Sequence, residues 1–389
     1  MVSRPDADVT AMGFTSWLPD VALCFGRLLT GHDLTWPWTD TGEDSPMSRE
    51  PRNAGLRESE AYYHVVLERI PPRAEPAFES PEMQRRVWAR EWGVSNDVGR
   101  LRLCVVHRPG DEIDTIDGSR YDPELDALIS DREQWYWRDS TAPDLGRMQR
   151  EHDALVNALR DEGVEIAVVD CSPGDPKAVF TRDQAIAVKG GAIICRMGPV
   201  GEEPGFGRRG EERFITRLLA ELGMPILRTV HGTGLFEGGS FCFLNAEVAL
   251  AGMSHRQNEA GARQVEQVLA EQGVRLVRVP LTGNALHIDG GIVMVDNDKA
   301  LVNMTRLPYW LPEMLAGLGI DLIHTWPTEP WSVNCLAVRP GRVIIPDDCP
   351  RTVERLHGAG VETIEIPYSE IRKNGGGIHC STLPLIRDA

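Results

Sequence analysis

The sequence predicts an α/β propeller of pseudo-five-fold symmetry, built from strand–strand–helix–strand units. Three observations predict it. Five segments pass from a helical stretch ending in leucine, through a glycine, into a β-rich run. Four pairs of short apolar runs, each joined by a polar or glycine turn, stand ahead of four of those helices. The last apolar run of the chain is free to complete the first unit.

The five helix-to-strand segments are LRDEGVEIAVV (Leu159 to Val169), LAELGMPILRT (Leu219 to Thr229), LAEQGVRLVRV (Leu269 to Val279), LAGLGIDLIHT (Leu315 to Thr325) and LHGAGVETIEI (Leu356 to Ile366). Their glycines, Gly163, Gly223, Gly273, Gly319 and Gly360, fall just past a helix end. There the backbone turns left-handed, which is inexpensive only without a Cβ. The Val/Ile-rich run that follows reads as a strand. The paired runs QAIAVKGGAIICRM, SFCFLNAEVALAGM, GIVMVDNDKALVNM and SVNCLAVRPGRVII read as hairpins. The unit recurs at roughly 40–60 residues, a period of repeat arrays and propellers. The chain enters the pattern on RLRLCVVHRP and the helix LGRMQREHDALVNALR, and leaves it on GGGIHCSTLPLI. Pairing that last strand with the first unit closes a ring and removes open edges.

Residues 1–95 do not share the period. They hold the polar, Pro-rich WPWTDTGEDSPMSREPRN, expected as a loop, flanked by FTSWLPDVALCFGRLLTG and SEAYYHVVLERI, expected as short helices. The expected organisation is an N-terminal extension, 1–95, and a domain at 96–389 that carries the chemistry.

The 389 residues are 42% apolar, enough for a sizeable core. A net charge of −17 argues against a nucleic-acid partner. No apolar run approaches the ~20 residues of a membrane helix. MVSRPDADVTAMGF lacks a basic stretch followed by an apolar one, so no secretory signal is expected. The eight cysteines show no CxxC spacing, and free thiols in the cytoplasm are expected. Cys104, Cys195, Cys242 and Cys335 sit in strand-like runs and read as small core residues.

Polar residues recur at the unit starts. Arg182 and Asp183 open one unit, Glu237 and two glycines precede the next, His287 and Asp289 precede a third, Asn334 opens a fourth, and Cys380 opens the closing strand. Taken singly, each has a plain structural explanation. In a pseudo-symmetric ring, equivalent positions gather around one axis and would form one pocket. That pocket holds a thiol nucleophile, a histidine and three carboxylates. Carboxylates bind a planar cation with several N–H donors in bidentate fashion, so a guanidinium suits it. A zinc site from His287, Asp289, His379 and Cys380 is the alternative, but the carboxylates outnumber what zinc needs. No metal or cofactor is expected.

FTRDQA, FEGGS, GMSHRQNEAG, LHID and NGGGIHCSTLPL, in this order, resemble the guanidino-group-modifying superfamily. It includes arginine deiminase, agmatine deiminase, dimethylarginine dimethylaminohydrolase and the glycine amidinotransferases. The resemblance runs from about Trp92 to the C-terminus and implies the five-bladed α/β propeller. It implies that Cys380 attacks the guanidinium carbon, that Asp183 and Asp289 hold the nitrogens, and that His287 protonates the departing amine with Glu237 beside it. A covalent thiouronium would follow, released by water in hydrolases or by an amine in amidinotransferases. SHRQNEAG resembles a stretch of arginine deiminases whose arginine, here Arg256, contacts the substrate carboxylate. RRGEE matches a second basic position, taken as Arg209; Arg182 is a further substrate-binding candidate. His255 and Gly375 depart from the deiminase pattern, and Gly375 is expected to leave room for a larger substrate. GGGIHC resembles agmatine deiminases, and HID the amidinotransferases. The reading favoured is a hydrolase of arginine or an arginine-like substrate, with amidino transfer as the alternative. Its expected partner is a small guanidino molecule, and a homodimer is the assembly carried forward.

Overall fold

The computed structural model describes residues 69–70, 80–130, 135–171, 174–198 and 208–389. The Pro-rich loop at 36–53, the stretch at 14–31, all but the last two residues of SEAYYHVVLERI, and Cys24 lie outside the described residues.

Helix α1 (Pro81–Trp88) starts where Ser80 Oγ accepts the Met83 amide, with proline at its first position. Beyond it Trp92 is buried, and the Gly93 amide donates to Leu385 in the terminal strand. The sheets lie in the compact unit Glu75–Ala389.

Strand β1 (Leu101–Val106) is followed by a small antiparallel sheet outside the repeat, β2 (Tyr121–Asp122), β3 (Ala127–Ile129) and β4 (Tyr136–Trp137). Helix α2 (Leu145–Asp161) leads to β5 (Glu165–Val168), parallel to β1. Next come β6 (Ala185–Val188), β7 (Gly191–Ile194), α3 (Glu211–Leu222) and β8 (Ile226–Thr229). The order repeats as β9 (Phe241–Phe243), β10 (Val248–Met253), α4 (Glu259–Glu271) and β11 (Arg275–Pro280). It repeats again as β12 (Ile292–Asp296), β13 (Lys299–Val302), α5 (Leu311–Gly317) and β14 (Asp321–His324). The last full unit is β15 (Leu336–Arg339), β16 (Arg342–Pro346), α6 (Pro350–Gly358) and β17 (Glu362–Ile366). The short α7 (Ser369–Lys373) and β18 (Leu383–Arg387) end the chain.

In each of these four units the first two strands pair antiparallel and the third lies parallel to the second. The terminal β18 pairs antiparallel with β1, so it supplies the strand that the first unit lacks. All five helix-ending glycines have positive φ, from 72° at Gly319 to 82° at Gly163. Strands such as β6 and β7 are buried along their whole length. That is why they read as continuous apolar runs rather than alternating ones. Cys104, Cys195, Cys242 and Cys335 are free and buried, as core residues should be.

The short turns entering the first strands touch one another in series: Thr181–Gln184 meets Gly238–Ser240, which meets Ile288–Gly290, which meets Pro330–Val333. This juxtaposition assembles the site.

Candidate active site

Asp183 lies in the turn ahead of β6, Glu237 ahead of β9, His287 and Asp289 ahead of β12, Asn334 ahead of β15, and Cys380 ahead of β18. Glycine lets these turns press together. A Cβ on Gly239 would sit 2.6 Å from Asp183 Oδ1 and 2.7 Å from His287 Nδ1. Cys380, His287, Glu237, Asp183, Asp289 and Arg256 line one cavity of about 160 Å³, a space for a small solute rather than a polymer.

The cavity floor has two linked parts. In the first, Cys380 Sγ is 3.3 Å from Asp289 Oδ2, and Asn334 Nδ2 donates to the sulfur at 3.2 Å. Asn334 Oδ1 accepts the Cys380 amide at 3.1 Å, so one side chain fixes both backbone and thiol. His379 Nδ1 donates to the same Asp289 oxygen at 3.0 Å. Burial opposes ionisation of Asp289, but the bond from His379 and the charge of His287 outweigh it and hold the carboxyl near 2. Burial, then Asp289 and Asp183, push the Cys380 thiol well above its ordinary range. Cys380 is a thiol donating to Asp289.

In the second part, His287 Nε2 is 2.7 Å from Glu237 Oε2, and Nδ1 is 3.4 Å from Asp183 Oδ1. Burial disfavours the imidazolium, yet Asp183 and Glu237 together raise its pKa to about 9. His287 is therefore charged at neutral pH. Glu237 is held at about 2, since the His287 bond and Arg256 overcome its burial. Its other oxygen accepts the Gly198 amide at 2.7 Å and faces Arg256 Nη1 at 3.5 Å. Asp183 accepts the Gly239 amide at 3.0 Å and pairs with Arg208.

Two expected residues do not enter the cavity. Arg182 points beneath it, where its Nε donates to the His379 carbonyl at 3.3 Å and its amide to the Cys380 carbonyl at 3.0 Å. It braces the backbone of the turn that carries Cys380. Consecutive residues of a tight turn project differently, so Asp183 faces the cavity and Arg182 cannot. Arg209 pairs with Glu212 on the far side of α3; Arg208, one residue earlier, faces the cavity. Arg208 also bonds Glu211 and donates to the Phe180 carbonyl at 2.6 Å. RRGEE offers two adjacent arginines, and only the start of α3 at Glu211 decides between them.

Gly375 leaves no room for a larger substrate. Its φ is 101°, and a Cβ there would lie 2.3 Å from the Tyr136 hydroxyl. Tyr136 fills the space. The zinc alternative does not assemble as a set of four either. Among the described residues, the ligand types close enough to share an ion are Asp183, Glu237 and His287, and separately His107, Glu112 and Cys171.

Sequence reasoning missed the cavity rim: Tyr136, Arg138, Lys177, Arg306 and Trp331. Tyr136 and Arg138 flank Trp137, which is fully buried. Alternation along β4 sends the tryptophan into the core and its neighbours the other way. Among the described residues this small sheet has no counterpart in the other units, so repeat logic could not find it.

The sequence family described as eukaryotic N,N dimethylarginine dimethylhydrolase matches residues 131–309, and the arginine deiminase family matches 325–387. The chain is 30% identical to the Bacillus subtilis protein YkgA over 239 residues, 61% of this chain and 79% of the relative. It is 28% identical to a Pseudomonas aeruginosa dimethylarginine dimethylaminohydrolase over 246 residues, 62% and 89% of the two chains. The fold is similar to that of a P. aeruginosa dimethylarginine dimethylaminohydrolase in complex with citrulline, with a TM-score of 0.59 at 23% identity over 74% of this chain and 100% of that one. It is also similar to an inosamine-phosphate amidinotransferase of Streptomyces griseus, with a TM-score of 0.60 at 16% identity over 77% and 98%. The chain belongs to the guanidino-group-modifying enzyme superfamily.

Proposed function

We propose that this enzyme hydrolyses the guanidinium group of arginine or an arginine-like molecule through a covalent thiouronium on Cys380, on five units closed as an α/β propeller. The proposal rests on Cys380 Sγ lying 3.3 Å from Asp289 Oδ2, in one cavity with the hydrogen-bonded His287–Glu237 pair.

The free site carries three carboxylates around a protonated thiol. An entering guanidinium donates N–H groups to Asp183 and Asp289 and adds a positive charge beside the sulfur. That charge offsets the field that holds the thiol proton, so the proton leaves to solvent and a thiolate forms. Sulfur attacks the guanidinium carbon, and the C=N electron pair moves onto nitrogen. His287 gives its proton to the departing nitrogen, the C–N bond breaks, and ammonia or an amine leaves the thiouronium. The now neutral His287 takes a proton from water, whose oxygen attacks the same carbon. Collapse expels the Cys380 thiolate and yields the ureido product, with the hydroxyl proton passing to solvent. Glu237 holds the imidazole ring and stabilises its charged form. Arg256 and the rim arginines suit a carboxylate on the substrate.

The structural likeness to an amidinotransferase supports a second reading, in which an amine replaces water. Product analysis with an arginine-like substrate, with and without an amine acceptor, separates them. Hydrolysis predicts ureido product and ammonium in equal amounts, unchanged by the acceptor. An amidino group on the acceptor would instead favour transfer. No turnover of any guanidino compound would refute both.

A further inference from the structure

Lys177 stands six residues before Asp183, at the cavity wall. Its Nζ donates to the Tyr136 carbonyl at 2.7 Å and to the Asn374 carbonyl. The same Nζ lies 3.9 Å from the centroid of the Tyr136 ring. Two carbonyl oxygens and an aromatic face are the ordinary components of a site for an organic ammonium. Here the chain's own lysine occupies it.

The rest of the rim is cationic. Arg138 lies over the rings of Tyr136 and Trp331, at 5.6 and 5.0 Å. Arg306 lines the same wall, next to Gly290. Among the described residues, no carboxylate lies within ion-pair distance of Arg138 or Arg306. The cavity's carboxylates, Asp183, Glu237 and Asp289, are all engaged at the floor with His287, Arg208 or His379. A second positive group at the rim finds, among the described residues, no free anion and both carbonyls already bonded. Burial, together with Arg208 and Arg138, already disfavours positive charge at Lys177 itself.

Resting on the proposed guanidino hydrolysis, we propose that the substrate is a guanidino acid: a guanidinium at one end, an anionic group at the other, and no free ammonium beside it. Lys177 is the specificity-determining residue that excludes the ammonium, and Arg138 and Arg306 receive the anion.

The test compares kcat/KM of the full-length enzyme for three matched compounds. These are 5-guanidinopentanoate (carboxylate, no amine), arginine (carboxylate and ammonium) and agmatine (ammonium, no carboxylate). The expected order is 5-guanidinopentanoate first, arginine at least about tenfold lower, and agmatine lowest. Lys177→Asp should bring arginine level with or above 5-guanidinopentanoate, and Lys177→Ala should narrow the gap. Arginine equal to or better than 5-guanidinopentanoate in the wild type overturns this inference and leaves the hydrolase reading standing. An unchanged ratio in a folded Lys177→Asp variant removes Lys177 from specificity. Turnover of none of the three removes the hydrolase reading, and this inference with it.

Discussion

The floor of the cavity is made of residues at corresponding places in the repeated units; much of its rim is not. Asp183, Glu237, Asp289 and Cys380 each stand on the turn into a first strand. Tyr136 and Arg138 come from a small sheet that occurs once, and Lys177 from the segment between β5 and β6. The floor is acidic around one imidazolium, and the rim is basic and aromatic. On the proposed mechanism, bond breaking falls to residues that the repeat places, and choice of substrate in large part to residues outside it.

Changes to the floor should cost most. Cys380→Ala should reduce kcat by roughly 10⁴ or more with the fold intact, because Cys380 is the one cysteine among the described residues that line the cavity. Retained activity would end the account. Asp289→Asn should raise ΔG‡ by about 2–5 kcal/mol, since a desolvated cation loses its charged partner. The same change at Asp183 should also lower the melting temperature, because buried Arg208 pairs with Asp183 as well as Glu211. A normal kcat in either variant would remove that carboxylate from the floor.

The floor also predicts a pH window. His287 has its pKa raised from 6.5 to about 9. Its charged form therefore contributes stability that is complete below 6.5 and is lost as pH rises through about 9. Glu237 and Asp289, depressed to about 2, contribute stability that is lost as pH falls from the ordinary carboxylate range towards 2. Thermal melts from pH 2 to 10 should show both flanks, with the alkaline one reduced but not abolished in a folded His287→Ala variant, because, against burial, Cys171 and Glu112 raise the His107 pKa to about 10 as well. An alkaline flank unchanged by that substitution would place the titrating group elsewhere.

Changes at the arginines should move specificity more than rate. Arg256→Ala should lower kcat/KM for a carboxylated guanidine by about tenfold, whereas Arg209→Ala, paired with Glu212 away from the cavity, should alter neither kinetics nor stability by more than about 0.5 kcal/mol. Equal effects would blur the division between cavity and outer face. Gly375→Ala should destabilise the protein by about 1–3 kcal/mol, through the positive φ and the Tyr136 contact, as measured in urea.

Sequence periodicity exposed the parts of the fold that repeat. The five glycines past the helix ends and the closing strand β18 could be placed because each obeys a local rule of backbone conformation or pairing. Asp183, Glu237, His287, Asp289 and Cys380 were legible for the same reason: each sits at the start of a unit. Arg182 and Arg209 show where this reasoning stops. A motif names neighbouring residues, but the direction of each side chain depends on turn and helix register. Lys177 and Tyr136 gave no sign at all, because partners such as the Asn374 carbonyl lie far away in sequence.

The central claim is that Cys380 forms a bond to a guanidinium-type carbon at a site charged by His287. Intact and peptide mass spectrometry after incubation with a chloroacetamidine-type probe tests it most directly. The account predicts one adduct per chain, on Cys380, absent in Cys380→Ser and suppressed by a turned-over substrate. An adduct on another cysteine, or equal labelling of the Cys380→Ser variant, would contradict it.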